Sequence, residues 1–467
     1  MVEDHYDLVV VGAGPAGEKA AAQAAYFDKR VAVVERASEL GGELAASALT
    51  TKAMREAALY LTGFRRRDVY GAGLDLDPQS AIDRLRARAA DVAGRMSEAV
   101  RGNLDRHGIE LVTGRAVLGP DRTVVVAISP DAPERVISGE MILIATGSRP
   151  FHPPGIPFDD PDVLDSETAR ELYQPMESLV VVGGGAVACE YASIFMALGA
   201  DVTLVDRGER LMPFLDSQCS AQVAECFRTF GMSVLPRQGV TTVTRDERGL
   251  RVELDSGVQM HPEKIIFAAG RMGNTEGLEL TAAGVSTDER GRIVVDDHYR
   301  TTAPGIYAAG DVIGPPALAS ASMEQGRVAA CYGLGIPFKE TVDPLTPFGV
   351  YSIPECAMVG MTEDQAAAEG IDFVTGVSLF SDNSRAAISG ITEGLLKLVV
   401  RCDDRRLIGV HIVGDAATEL IHQGQSVMHF GGTVDYFIHA TFDVPTLSDA
   451  YKYAAYDCLQ RLAARSA

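Results

Sequence analysis

The chain has 467 residues and a formal net charge of −22, with 46% hydrophobic and 23% charged residues. That composition is ordinary for a globular protein, and the length exceeds what one hydrophobic core organises, so two or three domains are expected. The net acidity argues against nucleic acid or an anionic membrane as partner, because both carry charge of the same sign.

The start of the chain, with Glu3 and Asp4, lacks the positive region of a cleaved signal, and every apolar run is strand-length, so no spanning segment is expected. The first such run, Asp7-Leu8-Val9-Val10-Val11, breaks into Gly12-Ala13-Gly14-Pro15-Ala16-Gly17. A helix-like stretch follows, and a second strand-like run ends Val31-Ala32-Val33-Val34-Glu35. This is the pattern of a dinucleotide-binding βαβ unit. Gly12 permits the tight turn, Gly14 lets backbone approach a pyrophosphate, Gly17 allows close helix–strand packing, and Glu35 can hold a ribose hydroxyl. The pyrophosphate would rest on the positive end of the following helix.

With 47 glycines in the chain, a bare G-x-G-x-x-G carries little weight. The unit recurs, however. Ser178-Leu179-Val180-Val181-Val182 leads into Gly183-Gly184-Gly185-Ala186-Val187-Ala188 and closes with Asp201-Val202-Thr203-Leu204-Val205-Asp206. Gly12 to Glu35 and Gly183 to Asp206 both span 23 positions. Two dinucleotide sites in one chain suggest electron transfer between their occupants.

Between the two units, Glu43 to Arg55 reads as a helix after Gly41-Gly42. Arg65-Arg66-Arg67 reads as a solvated helix end. Residues 79–107 form one long helix with Ile82, Leu85, Ala89, Val92 and Met96 on its packed face. Glu110–Val112 and Thr123–Ala127 are short strands, and Met141–Ser148 is a buried strand ending in a small-residue turn. Pro150, Pro153, Pro154 and Pro157 mark a linker. The second unit ends near Ala268-Ala269-Gly270-Arg271, and Ile306–Asp311 is another strand-turn. Beyond Pro344 come strands such as Leu395–Val400 and Leu407–His411, then helices near 415–430 and 446–462, an α+β segment. The seven cysteines are scattered with no metal spacing, as expected for reduced thiols in the cytoplasm; no metal site is expected.

Gly12 to Gly17, Ala145-Thr146-Gly147, Gly183 to Glu190, Tyr307 to Asp311 and Tyr351 to Glu363 together resemble the flavoprotein disulfide reductase family from end to end. The resemblance implies an α/β fold with two Rossmann-like dinucleotide-binding domains and a C-terminal α+β dimerisation domain. The expected boundaries are 1–150 with 272–345 for FAD, 151–271 for NAD(P), and 346–467 for the homodimer interface. Two of the family's working parts are absent. Its redox disulfide follows the Gly-Gly as G-G-x-C-x-x-x-x-C, whereas this chain reads Gly41-Gly42-Glu43-Leu44-Ala45-Ala46-Ser47-Ala48-Leu49-Thr50-Thr51-Lys52 and has no cysteine before Cys189. Its H-P-T-x-x-E acid/base motif is here Val444-Pro445-Thr446-Leu447-Ser448-Asp449. Dithiol chemistry needs a thiolate and a proton-holding His, so disulfide reduction at the flavin is excluded. Within the family the chain is most similar to the soluble pyridine nucleotide transhydrogenase branch, through Gly147–Pro153, Cys189–Phe195, Glu419–His422 and Thr441–Thr446.

The resemblance implies cofactor contacts from Gly12, Gly14, Ala16, Gly17, Glu35, Arg36, Gly42, Lys52, Thr146, Gly147, Gly183, Gly185, Ala188, Glu190, Asp206, Arg207, Gly270, Arg271, Gly310, Asp311 and Ala319. Lys52 and Glu190 are the expected catalytic pair beside the flavin N5. Asp311 would hold the ribityl chain, with the next helix start facing the flavin. Asp206 points to NAD(H), while Arg207 and Arg210 offer an alternative contact to the 2′-phosphate of NADP(H). His411, His422 and His439 read as packing or interface residues. The expected activity is hydride transfer from one nicotinamide nucleotide through FAD to another. The alternative is an NAD(P)H oxidase or quinone/dye reductase, which would use a further small-molecule acceptor.

Overall fold

A computed structural model of the protein describes residues 4–66, 69, 71, 78–128, 133–172 and 176–466; Glu3 and Arg67 lie outside them. The chain forms two compact units. The first comprises residues 1–53, 87–151 and 270–343, and the second 54–86, 152–269 and 344–467.

In the first unit, β1 (Asp4–Val11) leads through the Gly12–Gly17 turn into α1 (Pro15–Ala25) and back to β2 (Val31–Glu35). After Gly42 the expected helix does not start as a regular α-helix. Leu44–Ala48 is a single π-turn, followed by α2 (Leu49–Thr62). Carbonyls left over by the wider turn take threonine hydroxyls: Thr50 Oγ1 donates to Ser47 O at 2.7 Å and Thr51 Oγ1 to Ala48 O at 3.1 Å. The long helix is α3 (Pro78–Arg106), with Ile82, Leu85 and Ala89 buried as the spacing requires. With β3 (Glu110–Thr113), β4 (Arg115–Leu118), β5 (Thr123–Ala127) and β6 (Arg135–Ile144), the sheet order is β3-β2-β1-β6-β5-β4, and the strand Ile306–Ala308 pairs with β6. The β1–β2, β1–β6 and β2–β3 pairs are parallel, which places the loop after β1 and the carboxylate ending β2 at the same sheet edge.

The second unit repeats the arrangement. β7 (Val163–Asp165), β8 (Ser178–Val182), α4 (Ala186–Ala197), β9 (Asp201–Asp206), α5 (Ser217–Thr229), β10 (Ser233–Pro236) and β11 (Lys264–Phe267) build a parallel sheet ordered β10-β9-β8-β11-β7. An antiparallel sheet follows: β12 (Phe348–Val350), β13 (Cys356–Gly360), β14 (Phe373–Leu379), β15 (Leu395–Arg401) and β16 (Leu407–Val413), ordered β12-β13-β16-β15-β14. The terminal helices are α6 (Ala417–His429), the short Asp435–His439 and Ala450–Ser466. Arg65 is not the solvated helix end expected for it. Its side chain is 6% exposed and pairs with Glu393.

A buried charge cluster fastens this unit. Lys397, wholly buried on β15, donates to Asp216 Oδ1 at 2.8 Å and lies 2.7 Å from Glu363 Oε2. Asp216 also caps α5 by accepting Gln218 N–H. Opposite Lys397 on β16 is His411, whose Nε2 meets the Met361 carbonyl at 2.9 Å and so carries the proton. His411 is thus the packing residue expected. Burial pushes its pKa down. Burial pushes the Asp216 carboxyl up, but the Lys397 hydrogen bond, the charges of His411 and Lys397 and the Glu363 amide together outweigh it and hold the pKa below the usual value.

Removing the ammonium alone leaves Asp216 as an uncompensated buried charge. Lys397→Met should therefore cost about 3–5 kcal/mol in urea denaturation. Both shifted groups have folded pKa values below their unfolded ones, so the unfolded chain binds more protons. Their stabilisation is complete above the unfolded His pKa of about 6.5 and falls as pH drops below it, with Asp216 adding its loss below about pH 4. The melting temperature should fall from pH 7 to pH 5, with a flatter slope in His411→Leu.

Candidate functional site

The first glycine loop is fixed by contacts that only glycine permits. Gly12 has φ of 107°, and a Cβ there would meet Ala145 O at 2.4 Å; one on Gly17 would meet Gly12 O at 1.9 Å. Gly14, by contrast, faces space: its nearest neighbour would be the Gly42 Cα at 4.0 Å. Gly14 is also the N-cap of α1, and no side chain caps that end. The first-turn N–H groups are thus left for an anion. Glu35 is already aimed, since its two carboxylate oxygens accept Ala13 N–H at 2.8 Å and Ala37 N–H at 2.9 Å. This cradle fits the pyrophosphate and ribose of FAD. Arg36 is exposed beside it, and Ala16 is buried where a Cβ on Gly326 would meet its carbonyl at 2.1 Å.

Further along the same unit a polar network stands that the sequence did not announce. Thr146 Oγ1 donates to Asn274 O at 2.7 Å, and the Asn274 amide returns a bond to Thr146 O at 3.1 Å. Gly147 takes φ of 72°. Arg271 donates from Nε to Ser148 Oγ at 2.7 Å and from Nη2 to Ser148 O at 2.8 Å, and lies 3.7 Å from Glu43. Ser148 Oγ and Ser322 Oγ donate to the two oxygens of Asp311 at 3.4 and 3.2 Å. Gly270 and Gly310 both hold positive φ, and Ala319 opens a helix whose N-cap, Leu318, offers no capping side chain. Arg271 and Asp311 were readable as single residues. Their linkage through Ser148 was not, because it joins three separate stretches.

In the second unit Gly183 has φ of 126°, with Ala268 O at 2.5 Å from any added Cβ. Gly185 N-caps α4 without a side-chain bond and meets nothing within 4 Å, so a second pyrophosphate fits as the first does. Ala188 is fully buried and does the packing expected of the third small residue. Asp206 Oδ2 accepts Gly208 N–H at 3.0 Å, and a Cβ on Gly184 or Gly208 would come within 2.5 Å of that oxygen. Arg210 bonds Asp364 at 3.2 Å and Pro213 O at 3.2 Å, and Arg207 lies across Gly239. Glu190, 6% exposed on α4, accepts Tyr351 N–H at 2.9 Å. Lys52 stands half-buried on α2 in the first unit.

All seven cysteines are unpaired, and six are buried. Burial pushes each thiol up, to about 12 at Cys356 and Cys458 and well above the ordinary value at Cys189 and Cys219. A protonated buried thiol is a poor nucleophile, so none of these is suited to thiolate chemistry.

Comparison with known proteins agrees with this geometry. Residues 6–326 match the family described as pyridine nucleotide-disulphide oxidoreductase, and residues 346–455 match the dimerisation domain of that family. The chain is 40% identical over 460 residues to proteins named soluble pyridine nucleotide transhydrogenase from Mycobacterium tuberculosis and Mycobacterium bovis, covering 98% of each chain. It is 36% identical to one of that name from Hahella chejuensis, over 99% of this chain and 100% of the relative. Among solved structures it resembles LpdA from Mycobacterium tuberculosis (TM-score 0.87, 26% identity, 96% of this chain and 99% of that one). It also resembles the flavoprotein disulfide reductase RclA from Escherichia coli as its Cu(II) complex (TM-score 0.86, 26%, 97% and 99%). The chain belongs to the pyridine nucleotide-disulphide oxidoreductase family, as an FAD- and NAD(P)H-dependent oxidoreductase with a C-terminal dimerisation domain.

Proposed function

We propose that this enzyme passes hydride between nicotinamide nucleotides by way of its flavin. The observation that carries the reading is chemical. Both nucleotide cradles are intact, while the stretch after Gly42, where the disulfide-reductase pattern has its two cysteines, offers Leu44, Ala45 and Ala48 in a π-turn. Bound FAD supplies the two-electron carrier. The chain's residues would bind, orient and exclude water. Gly14 and Gly185 admit the pyrophosphates, Glu35 and Asp206 take the ribose hydroxyls, and Asp311, tied to Ser148, Arg271 and Ser322, holds the ribityl region. Lys52 and Glu190 are proposed to orient the nicotinamide. The 1–150/272–345, 151–271 and 346–467 division is proposed on the three largest sheets. The cytoplasm is the proposed location, supported by the unpaired thiols and by the word soluble in the relatives' names.

The competing reading is an NAD(P)H oxidase or quinone/dye reductase. The two separate when the holoenzyme is reduced anaerobically by NADH or NADPH and then mixed with thio-NAD, oxygen or a quinone at equal concentration. Thio-NAD should reoxidise the flavin fastest. Faster reoxidation by oxygen or quinone overturns the transhydrogenase reading.

NADH is the proposed better reductant. Asp206 is held in place by Gly208 N–H and backed by Gly184, and Arg210 is engaged by Asp364. A carboxylate facing a 2′-phosphate costs repulsion and desolvation, about two orders of magnitude in selectivity. Asp206→Ala should narrow the ratio of kcat/KM for NADH over NADPH at least tenfold; a wild-type preference for NADPH contradicts the assignment.

A further inference from the structure

The carboxylate of Glu190 does not stand on α4 alone. Its Oε1 accepts Tyr351 N–H at 2.9 Å, and three residues along the helix Ser193 Oγ accepts Ile353 N–H at 3.1 Å. Side chains at i and i+3 of a helix lie side by side, so one turn of α4 reads two amides of one bent stretch between β12 and β13.

The same stretch is gripped from its other side. Arg55 Nε donates to Ser352 O at 3.1 Å, and Arg55 Nη2 lies 3.1 Å from Glu355 Oε1. Glu355 Oε2 accepts both Thr418 N–H at 3.2 Å and Thr418 Oγ1–H at 2.9 Å, at the start of α6. Burial pushes the Tyr351 phenol up, and the Thr418 hydroxyl partly offsets that rise. Arg55, Ser352, Glu355 and Thr418 are all at most 9% exposed. In such surroundings each bond is stiffer and dearer to break than in water. A buried Arg–Glu pair by itself says nothing of function. What gives this one a direction is that Arg55 also holds the carbonyl of Ser352, the residue next to the one whose amide holds Glu190.

We propose that Tyr351–Glu355 is a positioning clamp for the Glu190 carboxylate, and that Thr418 and Glu355 act as positioning residues for nicotinamide without touching it. This rests on the reading of Glu190 given above. Loosening the clamp frees the Tyr351 amide to shift, and the orientation of Glu190 shifts with it.

The test uses holoenzyme carrying Thr418→Val, which keeps the shape and removes the hydroxyl, and Thr418→Ser, which keeps the hydroxyl, with Glu190→Gln as reference. The readouts are the limiting rate of anaerobic flavin reduction by NADH, the Kd for NADH and the midpoint potential of bound FAD. Thr418→Val should slow reduction roughly threefold to tenfold, the scale of one hydrogen bond, and displace the potential in the same direction as Glu190→Gln. Thr418→Ser should recover the wild-type rate within about twofold. If Thr418→Val fails to fold, Glu355→Gln weakens the other end of the same bond and should act in the same direction. A lower melting temperature with unchanged rate and potential in Thr418→Val, while Glu190→Gln alters both, overturns the clamp alone. A Glu190→Gln variant that alters neither overturns the reading of Glu190 and the clamp together.

Discussion

A helix can hold a phosphate at its N-terminus only if the protein has not already claimed the first-turn N–H groups. This fold keeps that rule selectively. Helix α5 is capped by Asp216, the short helix at Ser384 by Asn383, and the one at Glu363 by a full capping box of Thr362 and Gln365. At α1 and α4 the N-cap is Gly14 or Gly185, with no side chain to offer. Glycine in place of a capping side chain gives up only a few tenths of a kcal/mol of helix stability at each site. Other helices, such as those starting at Ala319 and Ala417, also lack a capping side chain, but at α1 and α4 a bound nucleotide can return the cost.

An uncapped helix end is useful only if it is held still, and that explains the other glycines. A methyl on Gly17 would fall 1.9 Å from Gly12 O, and one on Gly326 would fall 2.1 Å from Ala16 O. Helix α1 is therefore pressed into the loop it follows and against the helix Ala319–Gly333. The carboxylates at the strand ends are fixed likewise, Glu35 by two amides and Asp206 by one amide between two glycines. Each site is preorganised by backbone, so few side chains need specifying.

This is why the nucleotide sites were legible in the sequence and much of their support was not. A glycine at a fixed distance from a strand and an acid 23 positions later encode local geometry, which a linear pattern can carry. Lys52, Glu190, Arg271 and Asp311 were recognisable only through the family's motifs. The bonds between Arg271, Ser148 and Asp311, the burial of Lys397 and the Arg55–Glu355–Thr418 grip join residues far apart in the chain, and nothing periodic marks them. The π-turn at Leu44 was hidden for a different reason: its residues are good helix formers, and only the threonine hydroxyls bonding back to carbonyls reveal the wider turn. Arg65 misled because a run of arginines reads as surface, whereas one of them is drawn inward by Glu393.

Loss of the dithiol changes what the rest of the protein must do. A reductase with a disulfide beside its flavin carries an internal acceptor, and its second substrate reacts with sulfur away from the nicotinamide. Here the first cysteine in the chain is Cys189, and burial holds every thiol in its protonated form. Electrons leaving the flavin must therefore go directly to a molecule that enters from outside. Among the described residues a second loop, open helix end and oriented acid fit a nicotinamide nucleotide as the acceptor proposed above. Hydride donor and hydride acceptor then differ only in oxidation state and in the 2′-position, and the residues that orient one orient the other. Under that constraint the selective demand moves from sulfur chemistry to the placement of a few oxygens, among them those of Glu190, one of which accepts the Tyr351 amide.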